Sequence, residues 1–213
     1  MLESALTSVE LSLKQAIRKQ DDGKVEVFTR LLNHLICAWI EVRILKLLYE
    51  PKAFADSEID EVLHKTTPYN KSDNPLNEKW KKALTIAYLK AYPKKDPSKD
   101  MRYQYLMDLI GSDFLESIEE RNRLAHGQWK YAFNSALTKI NHDITKRINH
   151  ENIVKLQAKH RIFRDIAQII HDLAVSEPTF DRDFDKYYKN VKENKILYEK
   201  MTVPIADVGQ IST

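Results

Sequence analysis

Residues 24–50, KVEVFTRLLNHLICAWIEVRILKLLYE, decide the fold class. Apolar side chains recur at Phe28, Leu31, Leu32, Leu35, Ile36, Trp39, Ile40, Ile44, Leu47 and Leu48. Steps of three and four residues make a wide stripe on a helix and do not fit the two-residue alternation of a strand. The spacing predicts a long, central, largely buried helix that is cut by Pro51, because the residue before a proline is pushed out of the α region. Asn33, His34, Glu41, Arg43 and Lys46 make the same stretch too polar to span a membrane. Arg30, His34 and Glu41 form a polar ridge along it. Buried charges need partners, so this ridge either supports a site or satisfies itself.

Helical periodicity continues on both sides. Residues 2–20 place Leu2, Leu6, Val9, Leu13, Ala16 and Ile17 on one face, with Gly23 as a stop. Ser57 reads as the cap of a short helix that runs to His64. After a loop at 66–75, Asn74 and Pro75 open a helix to about Tyr92 that buries Leu76, Trp80, Leu84, Ala87 and Tyr88. A second loop at 93–100 precedes a helix over 101–110, and Gly111 and Ser112 open the next, which Gly127 ends in a left-handed turn. Residues 128–134, QWKYAFN, alternate Trp129, Tyr131 and Phe133 with small or polar residues, which with 137–146 allows a short β-hairpin around 128–146. Helices over 151–175 and 182–200 follow, and 203–213 reads as a loose tail. The expectation is an all-α chain, a single domain over 1–202 built as an up-and-down bundle of about six to seven helices.

Composition agrees with this. Among 213 residues there are only 4 Gly, too few for Gly-rich phosphate loops or for the many turns of a β-sandwich. The single cysteine, Cys37, excludes a disulfide framework and Cys-based zinc sites, and reads as a small core residue in a reducing compartment. The first residues, MLESALTSVE, lack the basic and apolar regions of a signal peptide, so a cytoplasmic location is expected. A net charge of +3 permits a nucleic-acid partner without requiring one.

The segment that carries chemistry is Glu119-Glu120-Arg121-Asn122-Arg123-Leu124-Ala125-His126-Gly127. Asn122 and His126 are one turn apart and share a face. Arg121 and His126 would be splayed by about 140° on a continuous helix, and converge only if the helix ends at His126, where Gly127 allows it to. An imidazole at a helix C-terminus, beside a guanidinium and an amide, suits metal-free RNA cleavage. The imidazole moves a proton and the guanidinium holds the phosphate with paired hydrogen bonds. In-line transesterification benefits from both an acid and a base, which a symmetric dimer of two such helix ends would supply.

RNRLAHG, with Arg121 and Asn122 followed after three residues by His126, resembles the signature of HEPN-domain ribonucleases. The resemblance implies a helical bundle, a homodimer with a composite active site and metal-independent endoribonuclease activity on single-stranded RNA. The products would carry 2′,3′-cyclic phosphate and 5′-hydroxyl ends. It also implies catalytic roles for Arg121 and His126, a supporting role for Asn122, no cofactor or metal, and a setting in phage defence or a toxin system with a cognate antitoxin or sensor protein. Where nucleotidyltransferase-controlled HEPN toxins have a tyrosine, two positions after the histidine, this chain has Gln128, which argues against regulation by tyrosine modification. Arg123, Lys130, Arg161 and Arg164 are the accompanying candidates for RNA contact.

Plainer readings stand beside each of these. Arg121 could pair with Glu116 or Glu120 while His126 caps carbonyls, and the domain could then serve as a non-catalytic module that binds RNA, a nucleotide or a protein partner, or as a helical interaction protein without a site. A second Arg–His pair, Arg164 and His171, reads as ordinary helix surface. The basic stretch from Lys79 to Arg102, interleaved with Trp80, Tyr88 and Tyr92, reads as a solvated face over buried rings. The cluster Lys155, Lys159, His160, Arg161 and Arg164 could flank the site. His142, Asp143 and His150 lack convincing metal spacing.

Overall fold

The computed structural model describes residues 1–64, 75–94, 96–175 and 180–201. Among these it shows nine α-helices: α1 (Leu2–Arg18), α2 (Asp22–Leu48), α3 (Asp56–Leu63), α4 (Pro75–Ala91), α5 (Pro97–Leu109), α6 (Leu115–Ala125), α7 (His142–Asn149), α8 (Ile153–Val175) and α9 (Phe180–Lys200), with a π-helical turn, Ile110–Phe114, between α5 and α6. The expected all-α class holds, and α7 is a helix that the sequence reading did not contain. The loop read at 66–75 and the tail at 203–213 fall, apart from Pro75, outside the described residues.

The central helix is as the sequence predicts. Leu32, Ile36, Trp39, Ile40, Ile44, Leu47 and Leu48 of α2 are buried, and Asp21 caps the helix by accepting from Lys24 N–H at 3.1 Å. Its equal in the core is α8, which buries Leu156, Ile162, Phe163, Ile166, Ile169, Ile170 and Leu173. One buried cluster runs from Leu6 of α1 to Val191 of α9. Ile17 is exposed and stands outside the α1 stripe assigned to it.

The sequence places a break at 111–112, yet the chain stays helical through the π-turn. The wider turn inserts one residue into the helical register, which brings Phe114 inward between Trp80 of α4 and Phe163 of α8, at ring distances of 5.0 and 4.5 Å. Hydroxyls cover carbonyls in this stretch: Ser112 Oγ donates to Asp108 O at 2.9 Å and Ser117 Oγ to Asp113 O at 2.7 Å. The same shift sets which face of α6 meets the core. Two other boundaries move for capping reasons. Asp96 accepts from Ser98 and Lys99 N–H, so PSKD is the first turn of α5 and not loop. Ala55, not Ser57, precedes α3, with Glu58 reaching back to the Ala55 N–H at 2.8 Å.

The hairpin over 128–146 is not formed. An isolated bridge, Phe133 to Ile140, is the pairing found there among the described residues, and 142–149 is the helix α7. The aromatic alternation misleads because Ala132 is the inward residue, while Trp129 and Tyr131 are 36% and 50% exposed. Asn141 caps α7 through Ile144 N–H at 3.0 Å, and Ile144 and Ile148, one turn apart, close with Ala132 on Leu124 to make a small second core beneath the end of α6.

Candidate active site at the end of α6

Helix α6 buries Ser117, Ile118, Glu120 and Leu124, and turns Arg121, Asn122 and His126 away from the core. Its end is a Schellman motif. Gln128 N–H donates to Arg123 O at 3.0 Å, Gly127 N–H to Leu124 O at 3.1 Å, and Gly127 sits at φ +74°. Trp129 Nε1 adds a second donor to Leu124 O at 2.9 Å. The last carbonyls are therefore satisfied by backbone and indole, and the exposed His126 ring is not needed as a cap. A Cβ on Gly127 would meet nothing within 4 Å, so the left-handed backbone is what demands glycine. Gly127→Ala is expected to destabilise the fold by about 1 kcal/mol in urea unfolding, and an unchanged midpoint would contradict this.

The polar ridge of α2 faces this segment. Glu41 accepts from Arg121 Nη2, and Asn122 Oδ1 accepts from Arg121 Nη1 at 3.1 Å. His34 lies against the Arg121 backbone. Burial first, and then the Arg121 charge, hold the His34 imidazole below its ordinary basicity, against a hydrogen bond to that backbone. Its Nδ1 has no hydrogen-bond partner among the described residues. Arg30, almost fully buried, donates to Trp129 O at 3.0 Å, Ile148 O at 2.5 Å and Asn149 Oδ1 at 2.7 Å, which staples the 129–149 segment to α2. The ridge supports the end of α6 through Glu41 and the segment after it through Arg30, while His34 keeps an unpaired nitrogen.

The acids before Arg121 go elsewhere. Arg147 of α7 bonds Glu119 at 2.7 Å and approaches Glu120 at 3.4 Å and Glu116 at 3.9 Å. Glu120 points inward, where it accepts from Asn33 Nδ2 at 3.0 Å and Lys159 Nζ at 2.9 Å. Lys159 also bonds Glu151 at 2.7 Å, and Tyr198 donates to Glu151 at 3.2 Å. Burial pushes the Glu120 carboxyl up, but the Lys159 charge and the hydrogen bonds of Asn33 and Lys159 outweigh it and hold Glu120 below the ordinary carboxylate value. Lys159 is held well above its own, since Glu120 and Glu151 outweigh its burial. Lys155 and Lys159, read from the sequence as part of a basic cluster that could flank the site, are buried. The signal was present: with Glu151 they sit four residues apart, on the face that Ile162 and Ile166 continue.

The RNA-contact candidates separate. Arg123 and Lys130 belong to the end of α6 and the loop after it, with Lys130 exposed. Arg164 lines a groove with residues of α1 and α2, and Arg161 lies beside Asp165, toward Lys186 of α9. These neighbours belong to other helices than α6. His171 bonds Asp172 at 3.1 Å and Glu50 at 3.3 Å in a structural cluster. Trp80 and Tyr88 are buried, and Lys81, Lys82, Lys90 and Arg102 are bonded within the fold. Burial raises the Cys37 thiol to about 12, so it is an inert core group. Among the described residues no three His, Cys, Asp or Glu side chains converge as metal ligands. No helix there is long and apolar enough to cross a membrane.

The site can do two things chemically. An exposed imidazole can exchange protons with a substrate, and a guanidinium five residues back on the same helix can meet an anion. Comparison with family models, curated proteins and solved structures gives no match.

Proposed function

We propose that the end of α6 is a metal-independent endoribonuclease site for single-stranded RNA, of the kind that its HEPN-like motif implies. The observation that carries this reading is the Schellman end of α6, which leaves the His126 ring exposed and uncommitted on the helix that bears Arg121 and Asn122. In the reaction His126 removes the proton of a 2′-hydroxyl, whose oxygen attacks the adjacent phosphorus. The bond from phosphorus to the 5′-oxygen breaks, and a protonated imidazole returns a proton to that oxygen. Arg121 neutralises the charge that grows on the non-bridging oxygens. Its pair with Glu41 uses part of the guanidinium, leaving N–H groups for a phosphate.

One imidazole serves as base and a second copy of the chain supplies the acid. Trp129, Tyr131, Leu137 and Ile140, exposed on the loop next to His126, offer apolar surface for such a homodimer. The setting is a cytoplasmic defence or toxin system in which an antitoxin or sensor protein restrains the enzyme. Purified protein is expected to cut single-stranded RNA in excess EDTA. Activity that disappears with EDTA would overturn the proposal.

The Arg121–Glu41 pair favours a second reading, a non-catalytic module that binds RNA, a nucleotide or a protein through this surface. That module would bind RNA without turnover. The two readings share one further expectation. Glu41 is 51% exposed, so its pair with Arg121 is weak and should yield to phosphate. Glu41→Gln is therefore expected to tighten RNA binding about threefold in a filter or polarisation assay. Weaker binding would show that Glu41 positions Arg121 and does not compete for it.

A further inference from the structure

Away from α6, two cavities adjoin where α1, α2 and α8 meet. The outer, an open groove of about 330 Å³, is bordered by Trp39, Val42, Arg43, Lys46, Arg164 and Gln168. The inner, about 160 Å³, is bordered by Thr7, Glu10, Gln157, His160 and the side chains of Leu32 and Ile36. Glu3 and Arg164 border both. Apart from these two, the charges divide between them. Cations stand on the outer groove: Lys46 and Arg164 have no ion-pair partner among the described residues, and Arg43 is held by Glu50 at 2.7 Å. The inner cavity, besides Arg164 and Glu3, has hydrogen-bonding groups and one acid, Glu10. Glu3 accepts from Trp39 Nε1 at 2.6 Å, and Glu10 accepts from Lys14 at 2.5 Å and from Gln157 at 2.7 Å.

His160 marks the inner cavity as unfinished. Its ring stacks edge-on against Trp39 at 5.4 Å, and its Nε2 is buried without a hydrogen-bond partner. A buried polar nitrogen left unpaired is destabilising, and native folds keep few of them. An occupant that bonds His160, Glu10 and Gln157 must be polar. Glu3 and Glu10 disfavour an anion at that end, and with Glu10 already paired with Lys14 and Glu3 bonded by Trp39 a neutral hydrogen-bonding group satisfies it. Its other end, beside Lys46 and Arg164, is anionic.

We propose that these cavities form a binding site for a small sugar phosphate. The phosphate sits at the Arg164–Lys46 rim, with Arg43 behind it, and the hydroxyls enter the inner cavity to bond Glu10, Gln157 and His160. Arg164, expected from the sequence to touch RNA, is thereby assigned to a second ligand, and the site is independent of the activity proposed for α6.

Isothermal titration of the full chain with ribose 5-phosphate, glycerol 3-phosphate, glucose 6-phosphate and inorganic phosphate tests this. At least one sugar or polyol phosphate is expected to bind one per chain, about tenfold tighter than inorganic phosphate, because hydroxyls complete the inner partners. Arg164→Glu and Lys46→Glu lie at the exposed rim and keep the fold, and each is expected to weaken that binding by about tenfold or more. A single-stranded oligonucleotide, whose phosphates lack a free sugar end, should not compete. The site is refuted if none of the organic phosphates binds at about 1 mM, if inorganic phosphate binds as well as they do, or if Arg164→Glu leaves the affinity unchanged. Competition by the oligonucleotide would likewise overturn it in favour of an RNA groove. The titration runs equally well on His126→Ala protein, so failure of the α6 reading leaves its outcome intact.

Discussion

His126→Ala is expected to slow RNA cleavage by about 10²–10⁴-fold while leaving the fold in place. The loss follows from the role proposed for the ring, which moves the proton in the transition state. Preservation of the fold follows from the way α6 ends. The backbone of His126, not its ring, closes the helix, with its N–H directed to Asn122 O at 3.3 Å and Arg123 O at 3.2 Å. The ring itself is exposed, so its removal opens no cavity. Single-turnover cleavage and circular dichroism of the same preparation read both halves. A variant that cuts at the native rate would remove His126 from the chemistry. One that unfolds would contradict the reading of α6, since nothing in its contacts needs the imidazole.

The largest effect on stability is expected at Lys159. Lys159→Met takes the closest cation from the buried Glu120 and Glu151, with Arg147 at 3.4 Å and Lys155 at 4.0 Å left to them, and removing one partner of a buried ion pair costs about 3–5 kcal/mol. Methionine keeps most of the side-chain volume, so the loss reads the charge and not a cavity. The pH dependence has a definite sign. Glu120 has its folded value below 4.5, so its stabilisation is complete above that pH and is lost as the pH falls through the lower folded value. Lys159 has its folded value above 10.5, so its share persists up to that pH and is lost only as the pH rises beyond it. Urea unfolding of the native chain should therefore show a plateau between these limits, whose acid edge moves in Lys159→Met. A loss below about 1 kcal/mol would show that solvent reaches the pair.

Much of this architecture is legible in the sequence because helices announce themselves by period. The stripe from Phe28 to Leu48 and that from Ile153 to Leu173 needed no tertiary information, and Gly127 was readable as a left-handed stop from its place after Ala-His. What failed did so for local reasons. A π-turn has no composition signal, so Gly111 and Ser112 look like a break although Ser112 Oγ caps a carbonyl within a continuous helix. Trp129, Tyr131 and Phe133 alternate like a strand, but the small residue between them, Ala132, is the one that packs. At the site, Arg121, Asn122 and His126 could be picked out by type and spacing, whereas the partner of Arg121 could not. Glu116 and Glu120 are nearer in sequence, yet Arg147 and Lys159 claim them, and Glu41 arrives from eighty residues away. Ion-pair choice among many charges depends on which faces meet, and that is a property of packing.

Metal-free cleavage of RNA through its own 2′-hydroxyl, as proposed for the end of α6, fixes the chemistry of the product ends. Single-stranded RNA incubated with the purified chain in EDTA is predicted to yield 2′,3′-cyclic phosphate and 5′-hydroxyl termini, and a 2′-deoxy substitution at the cleaved nucleotide should abolish that cut. Fragments bearing 3′-hydroxyl and 5′-phosphate ends, or undiminished cutting at the deoxy position, would contradict it.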